Sequence, residues 1–322
     1  MLKFHWKHLK KCSMIEVLKP GLFSTIQDIG RTGYVEFGMP TAGVMDEDAF
    51  RLANWLVGND LNSAVLEITL NGPKLVFHCK TFIAITGAKM NPRINGIPVS
   101  MYETINIERG DLLEFGELIT GCRTYISVSG GITTKKKLGS RATYTYAEIG
   151  GIDGTVLKKG NKIPISEVFK CELKKVPDNF QLKYASLLTI RVIAGPEEDK
   201  FEKKALEKFY KTEFIISNQS NRMGYKLSGK EIKLKKTFEM LSSGIVNGTI
   251  QIPQDGNPII LLADGQTTGG YPRIANIISV DIPFLGQQKP GDKIRFKKIG
   301  VNEAQSLLSN KENSYSKLFS GR

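Results

Sequence analysis

Short runs of β-branched and aromatic residues, cut every few positions by Gly, Pro, Asn or Asp, constrain this chain more than any other feature. Lys74-Leu-Val-Phe77, Thr81-Phe-Ile-Ala-Ile85, Leu112-Leu-Glu-Phe115, Tyr125-Ile-Ser-Val128, Leu188-Thr-Ile-Arg-Val-Ile193 and Ile277-Ile-Ser-Val280 all read as strands. Strands at this spacing predict barrels or sandwiches. One turn recurs: Arg109-Gly-Asp-Leu-Leu-Glu-Phe115 is echoed by Pro290-Gly-Asp-Lys-Ile-Arg-Phe296 and more loosely by Lys159-Gly-Asn-Lys-Ile163. Each reads as a Gly-Asp or Gly-Asn turn feeding a strand. Helical periodicity is confined to residues 46–56, 196–208 and 301–308. The polar stretch 170–184, with Pro177-Asp-Asn179, reads as a connection between two mostly-β units. The expected division is an extension over 1–13, disordered or wrongly assigned to the chain, then units over 14–180 and 185–300 and a helical tail over 301–322. Met14 opens the first strand pattern, Ile15-Glu-Val-Leu18.

Composition narrows the function classes. The formal charge is +13, which points toward anionic partners, but the lysines are scattered as doublets with only Lys135-Lys136-Lys137 as a triplet. No zinc finger, arginine-rich arm or aromatic RNA-binding signature accompanies them, so they read as a solvated surface and not a nucleic-acid site. No apolar run approaches the roughly 20 residues that span a bilayer, and the basic N-terminal residues lack the apolar core of a secretion signal. Four widely spaced cysteines exclude a zinc ribbon and read as thiols in a reducing, cytoplasmic setting. Only three histidines occur, and only His78 lies within the body, where it reads as structural. Ser-His-Asp or Cys-His catalysis and a histidine zinc site are therefore not expected, and no metal site is assigned. Gly224-Tyr-Lys-Leu-Ser-Gly229-Lys230-Glu231 approaches a P-loop. Glu231, however, stands where Ser or Thr would ligate magnesium, and Ile232-Lys-Leu-Lys235 alternates like a strand instead of opening a helix.

The residues left for chemistry are polar, glycine-rich and arginine-bearing. Asp264-Gly-Gln-Thr-Thr-Gly-Gly-Tyr-Pro272 follows the strand run Ile259-Ile-Leu-Leu-Ala263. Its glycines, Gly269 and Gly270 among them, allow tight turns and exposed N–H groups. Gln266, Thr267, Thr268 and Tyr271 supply donors and acceptors for an anionic or amide-bearing small ligand. Gln27-Asp28-Ile-Gly-Arg31-Thr-Gly-Tyr34 places an amide, an acid and a guanidinium in one turn, while Arg141 and Arg222 each lie near a glycine. Arginine forks pair with carboxylate or phosphate. Together these residues read as a site that grips an anionic substrate without a histidine base.

The order of several motifs resembles a known family. They are Gln27-Asp28-Ile-Gly-Arg31-Thr-Gly-Tyr34, Gly43-Val-Met45-Asp46, Ala53-Asn54-Trp-Leu-Val57-Gly58-Asn59, Leu66-Glu67-Ile-Thr69 and Gly139-Ser140-Arg141. Arg222-Met-Gly224, Gly248-Thr-Ile-Gln251-Ile-Pro253, Gln266-Thr-Thr-Gly-Gly-Tyr-Pro272 and Pro290-Gly-Asp292 follow. Over residues 14–299 the chain resembles the biotin-dependent carboxyltransferase-like family. Its members include the C-type subunit of 5-oxoprolinase, the KipA antagonist of a histidine-kinase inhibitor, and part of urea carboxylase. The resemblance implies two cyclophilin-like β-barrel subdomains and direct binding to a KipI-like subunit of the B type. For the oxoprolinase members it implies ATP-dependent opening of 5-oxo-L-proline to L-glutamate, completed by a LamB/YcsF-like subunit of the A type. ATP with Mg²⁺ is then the cofactor, held mainly by the partner, and this chain is expected to be inactive alone. The alternatives are a KipA-like regulator and a carboxyltransferase acting on urea or a related amide.

Under that resemblance Arg141, Gln266, Thr268 and Tyr271 are the expected catalytic residues. Asp28, Arg31, Arg222, Thr267, Gly269 and Gly270 are the expected substrate-binding residues. Two departures stand out. Asn221 replaces the Asp usual before Arg-Met-Gly, and Gly265 follows Asp264 where Ala is usual. No biotinylation motif is present, so carboxybiotin would have to come from another protein.

Overall fold

The computed structural model describes residues 13–166, 171–235 and 240–321. Residues 1–12 of the expected extension, with His5, His8 and Cys12, fall outside them. The architecture is mostly β, with four α-helices among the described residues. Strands between residues 14 and 164 form antiparallel sheets of six and five strands. Strands between residues 187 and 298 form a seven-stranded closed barrel. Closure removes exposed edges from the barrel, whereas the first sheets cover their core from two sides.

Alternation explains both cores. Lys293–Lys298 buries Ile294 and Phe296 and exposes Lys293, Arg295, Lys297 and Lys298. The doublet Lys297-Lys298 thus ends this half-buried strand at exposed positions. Inside the barrel Phe209 stacks on Phe296, ring centroids 4.6 Å apart, beside Phe214, Ile190 and Ile250. Ile15, Leu66, Phe77, Ile85 and Ile126 fill the space between the first two sheets. Each such side chain contributes about 1.5–3 kcal/mol by leaving water.

Lys74–Phe77 and Leu112–Phe115 form as the sequence suggests, while Thr81–Lys89, Thr120–Val128 and Leu187–Ala194 extend further. Pairing supplies the extra length. Tyr125 sits opposite Glu67 on one side and Thr86 on the other, so polar positions stay inside the ladder. One expected strand is displaced: Arg273–Ile277 is the strand, and Ser279–Asp281 is a 3-10 turn. Residues 232–235 form no strand, only a bridge from Leu234 to Phe201. The three repeated turns do occur, with Gly110, Gly160 and Gly291 all at positive φ.

The first helix, Glu47–Leu56, starts at Asp46, whose Oδ1 accepts from Ala49 N–H at 3.0 Å. The expected helix over 196–208 is broken. A 3-10 turn, Glu198–Lys200, gives way at extended Phe201 before Lys203–Lys211 begins. Phe201, Ala205 and Phe209 are nevertheless all buried, which is what their apolar spacing signalled. The last helix runs Val301–Ser320, well past the expected residue 308. Its far end returns to the first helix, where Tyr315, Leu318 and Phe319 pack with Trp55. Residues 171–184 are half exposed, but Val176 is fully buried and Phe180 meets Tyr315 at 5.6 Å.

Candidate functional site

The barrel and the first two sheets meet along a seam made mainly of polar side chains. A Cβ at Gly286 would stand 2.2 Å from Met45 O, so only glycine permits this approach of backbones. Arg123, on Thr120–Val128, donates through Nη1 to Tyr225 OH at 2.9 Å and to Gly286 O. Gln287 Oε1 accepts from the N–H groups of Cys122 and Arg123 at 2.9 and 2.8 Å. Its Nε2 donates to Asp46 Oδ2 at 2.7 Å. Glu67 is fully buried in the middle of Val65–Thr69. Its Oε2 accepts from Met45 N–H and Tyr125 OH, each at 2.9 Å. Burial and the neighbouring Glu67 push the Tyr125 phenol well above its ordinary range, so it remains a donor.

Arg222 closes this network. Its Nε and Nη2 form a two-pronged contact with Asp264, 2.9 Å on each side, its Nη1 donates to Glu67 Oε1, and Nη2 also reaches Gly43 O. Burial pulls the guanidinium down, but Asp264 and Glu67 outweigh it and hold the group above its ordinary value. Every nitrogen of the fork has a protein acceptor. Arg222 is therefore a strut across the seam and is not placed as an open receptor for a substrate anion.

The N-terminal loop is internal as well. Asp28 Oδ1 accepts from Gly30 N–H at 2.9 Å and Ser140 Oγ at 2.6 Å, and Oδ2 accepts from Arg141 N–H at 2.6 Å. Asp28 thus pins residues 139–142 against its own turn. Arg31 is fully buried and donates through Nη2 to Ala142 O. Burial lowers its basicity, opposed by Asp28 and Asp264. Among the described residues, Arg31 Nε and Nη1 and Arg141 Nε are buried without hydrogen-bond partners.

The loop after Asp264 divides. Gln266 and Thr267 line a cavity of about 360 Å³ at the seam, walled by Thr41, Ala42, Asn247 and the last helix through Leu308 and Lys311. Neither side chain has a protein hydrogen-bond partner among the described residues, so amide and hydroxyl remain available. Asp48 also lines this cavity. Burial raises its carboxyl to about 6, against the pull of Lys311, whose Nζ stands 2.6 Å away. Thr268 and Gly269 instead pair with Gly244 and Ser243 as a small ladder. Gly270 is exposed beside Ser242. Tyr271, 45% exposed, lines a different, shallow cleft with Lys226 and Asp255. The structure thus brings Gln266 and Thr267 to the cavity and directs Thr268 and Tyr271 away from it.

Arg123, Gln287 and Asp48 lie in no motif that singles them out in the sequence, and Glu67 lies in a family motif, Leu66-Glu67-Ile-Thr69, without an assigned role. The available signal is an ionisable residue inside an apolar strand run, Val65-Leu66-Glu67-Ile68, which implies a buried partner. Among the described residues no three or more His, Cys, Asp or Glu side chains converge as a metal would require.

Residues 37–298 match the family described as carboxyltransferase domain, subdomain A and B, and the chain belongs to that family. It is 35% identical over 305 residues to the C subunit of Escherichia coli 5-oxoprolinase, covering 95% of this chain and 97% of that protein. It is 34% identical to urea amidolyase of Saccharomyces cerevisiae, over 92% of this chain but only 17% of that protein. The crystal structure of Kluyveromyces lactis urea carboxylase superposes with a TM-score of 0.89 at 33% identity, over 94% of this chain and 29% of that one. No helix among the described residues is long and apolar enough to cross a membrane.

Proposed function

We propose that this chain is the C-type subunit of an ATP-dependent 5-oxoprolinase. It would act in the cytoplasm, with a KipI-like partner of the B type and a LamB/YcsF-like partner of the A type, to open 5-oxo-L-proline to L-glutamate. One observation carries this reading. The chain matches a free-standing 5-oxoprolinase subunit over nearly its whole length, but only a small part of the urea enzymes.

The seam cavity supports it chemically. The substrate presents a lactam N–H and carbonyl, and Gln266 and Thr267 face the cavity with an unengaged amide and hydroxyl. Fixed donors of this kind stabilise charge that develops on a carbonyl oxygen. Gln266 and Thr267 are the residues we assign to substrate positioning; Lys311 also lines the cavity but is paired with Asp48. Asp28, Arg31 and Arg222 brace the loops around it. Gly224–Ser228 is a strand, so it offers ATP no phosphate-binding loop. ATP with Mg²⁺ enters as co-substrate of the assembled enzyme.

Co-expression with A- and B-type subunits, followed by an assay of glutamate formed from 5-oxo-L-proline and ATP, tests the reading. Turnover that requires this chain supports it. An intact complex without turnover sinks it. A second reading, carboxyl transfer to urea or a related amide, is favoured by the likeness to urea carboxylase. It requires bicarbonate-dependent product when a separate biotin carrier and its carboxylase are supplied.

A further inference from the structure

A cleft of about 690 Å³ opens in the first unit, where the outermost strands of the six-stranded sheet, Pro92–Ile94 and Ile97–Pro98, approach residues 181–184. Three cations line it, each from a separate segment. Lys89 ends the strand Thr81–Lys89, Arg93 sits within Pro92–Ile94, and Lys183 belongs to the connection that leads to the barrel. No Asp or Glu lines the cleft. All three side chains are exposed, and among the described residues none has a carboxylate partner. Glu114 stands opposite Arg93 in the ladder, but Lys74 engages it at 3.1 Å. Arg93 uses only Nη1, which donates to Gly96 O at 3.1 Å, so the rest of its fork is available. On the barrel the situation differs: Lys293 and Arg295 share Glu213, and Lys298 holds Glu198. A cleft walled by one sign of charge concentrates the opposite charge from solution. A free arginine fork matches the oxygens of carboxylate or phosphate.

The cleft is also built on fixed backbone. Asn91 and Tyr102 both line it, at φ 45° and 62°, the left-handed region that an aromatic residue rarely adopts. The Tyr102 hydroxyl accepts from Gly87 N–H at 3.1 Å and donates to Gly87 O at 3.2 Å. Tyr184, on the same cleft, donates to Asp46 Oδ2 at 2.7 Å. Such strain persists where the surroundings impose it, and it gathers at ligand sites.

We propose that this cleft binds a small anion carrying two or more negative charges, held by the Arg93 fork together with Lys89 and Lys183. The shared chemistry is that of a polycarboxylate or a phosphorylated small molecule. The volume suits such a ligand, since small-molecule sites run to about 300–1,000 Å³. The site is separate from the seam cavity, with which it shares no lining residue.

Citrate and inorganic pyrophosphate, titrated separately into the full chain by calorimetry at about 0.15 M salt, distinguish the two sources. Lys89→Gln combined with Lys183→Gln, and Arg93→Gln alone, alter exposed side chains without ionic partners, so both variants should melt with the wild type. Lys135→Gln combined with Lys136→Gln removes the same charge elsewhere on the surface and serves as the control. The expected result is saturable binding of at least one anion, weakened about tenfold or more by either cleft variant and unchanged by the control. Citrate alone identifies a polycarboxylate, pyrophosphate alone a phosphorylated ligand, and binding of both leaves charge as the criterion. No saturable binding, binding that the cleft variants leave unchanged, or equal weakening by the control overturns the assignment. The readout is binding to this chain by itself, so its outcome is independent of the function proposed above.

Discussion

Two loops of similar composition, residues 27–34 and 264–271, end in opposite circumstances. Each combines an acid, an amide, glycines and a tyrosine. In the first, Gln27, Asp28 and Arg31 are buried and bonded to neighbouring loops. In the second, Asp264 is buried and paired with Arg222, but Gln266, two residues later, is exposed with its amide unengaged. A buried polar group is costly unless it is satisfied internally, a requirement that the first loop meets at Asp28 and leaves unmet, among the described residues, at Gln27 Oε1 and at Arg31 Nε and Nη1. Ligand chemistry is carried by what remains after that requirement is met.

The sharpest break in this comparison is Arg222→Met. It removes the cation between two buried carboxylates, Glu67 and Asp264, and loss of one partner from a buried pair costs about 3–5 kcal/mol. Denaturant unfolding should show a loss in that range. A loss below about 1 kcal/mol would mean that the network does not tie the seam. Asp28→Ala comes next. It strands the Gly30 and Arg141 N–H groups and the Ser140 hydroxyl, at a cost of about 2–4 kcal/mol. If that variant instead kept its stability and lost turnover, the two loops would be alike in function and the contrast between them would fail.

Asp48 gives a smaller and pH-dependent effect. Its folded pKa of about 6 lies above the unfolded value of about 4. Folding therefore takes up a proton between those pH values. The contribution of Asp48 to stability is full below about pH 4 and is lost as pH rises through about 6. Asp48→Asn escapes that loss. Its melting temperature, relative to wild type, should rise from pH 4 to pH 8, by an amount equivalent to about 1–3 kcal/mol. A difference that stays flat with pH would show that Lys311 fully offsets the burial of this carboxylate.

Much of the architecture was legible because alternation and glycine turns are local signals. Lys74–Phe77, Leu112–Phe115 and the three Gly-Asp or Gly-Asn turns follow from neighbours in sequence alone. The last helix reads too short in the sequence, because Tyr315 and Phe319 find their apolar partner, Trp55, far away in the chain. For the site, residue type was legible but engagement was not. Arg222 and Gln266 look equally apt as ligand groups in the sequence. Only the fold shows that Glu67, more than 150 positions from Arg222, has already claimed the arginine.

The smallest expected effect on stability comes from the other loop. Gln266→Ala combined with Thr267→Val removes two side-chain groups without a hydrogen-bond partner among the described residues, so the melting curve should shift by less than about 0.5 kcal/mol in equivalent stability. Turnover in the assembled enzyme should nevertheless fall by about tenfold or more, as happens when donors to a developing charge are lost. Tyr271→Phe, on a different cleft, should leave both quantities unchanged. If Tyr271→Phe abolished turnover while the double variant remained active, the cavity at the seam would not be where the chemistry occurs. The working face would then be the outer side of the loop, with Lys226 and Asp255 beside the phenol, and the division of the loop into an engaged half and an available half would have to be redrawn after Thr267.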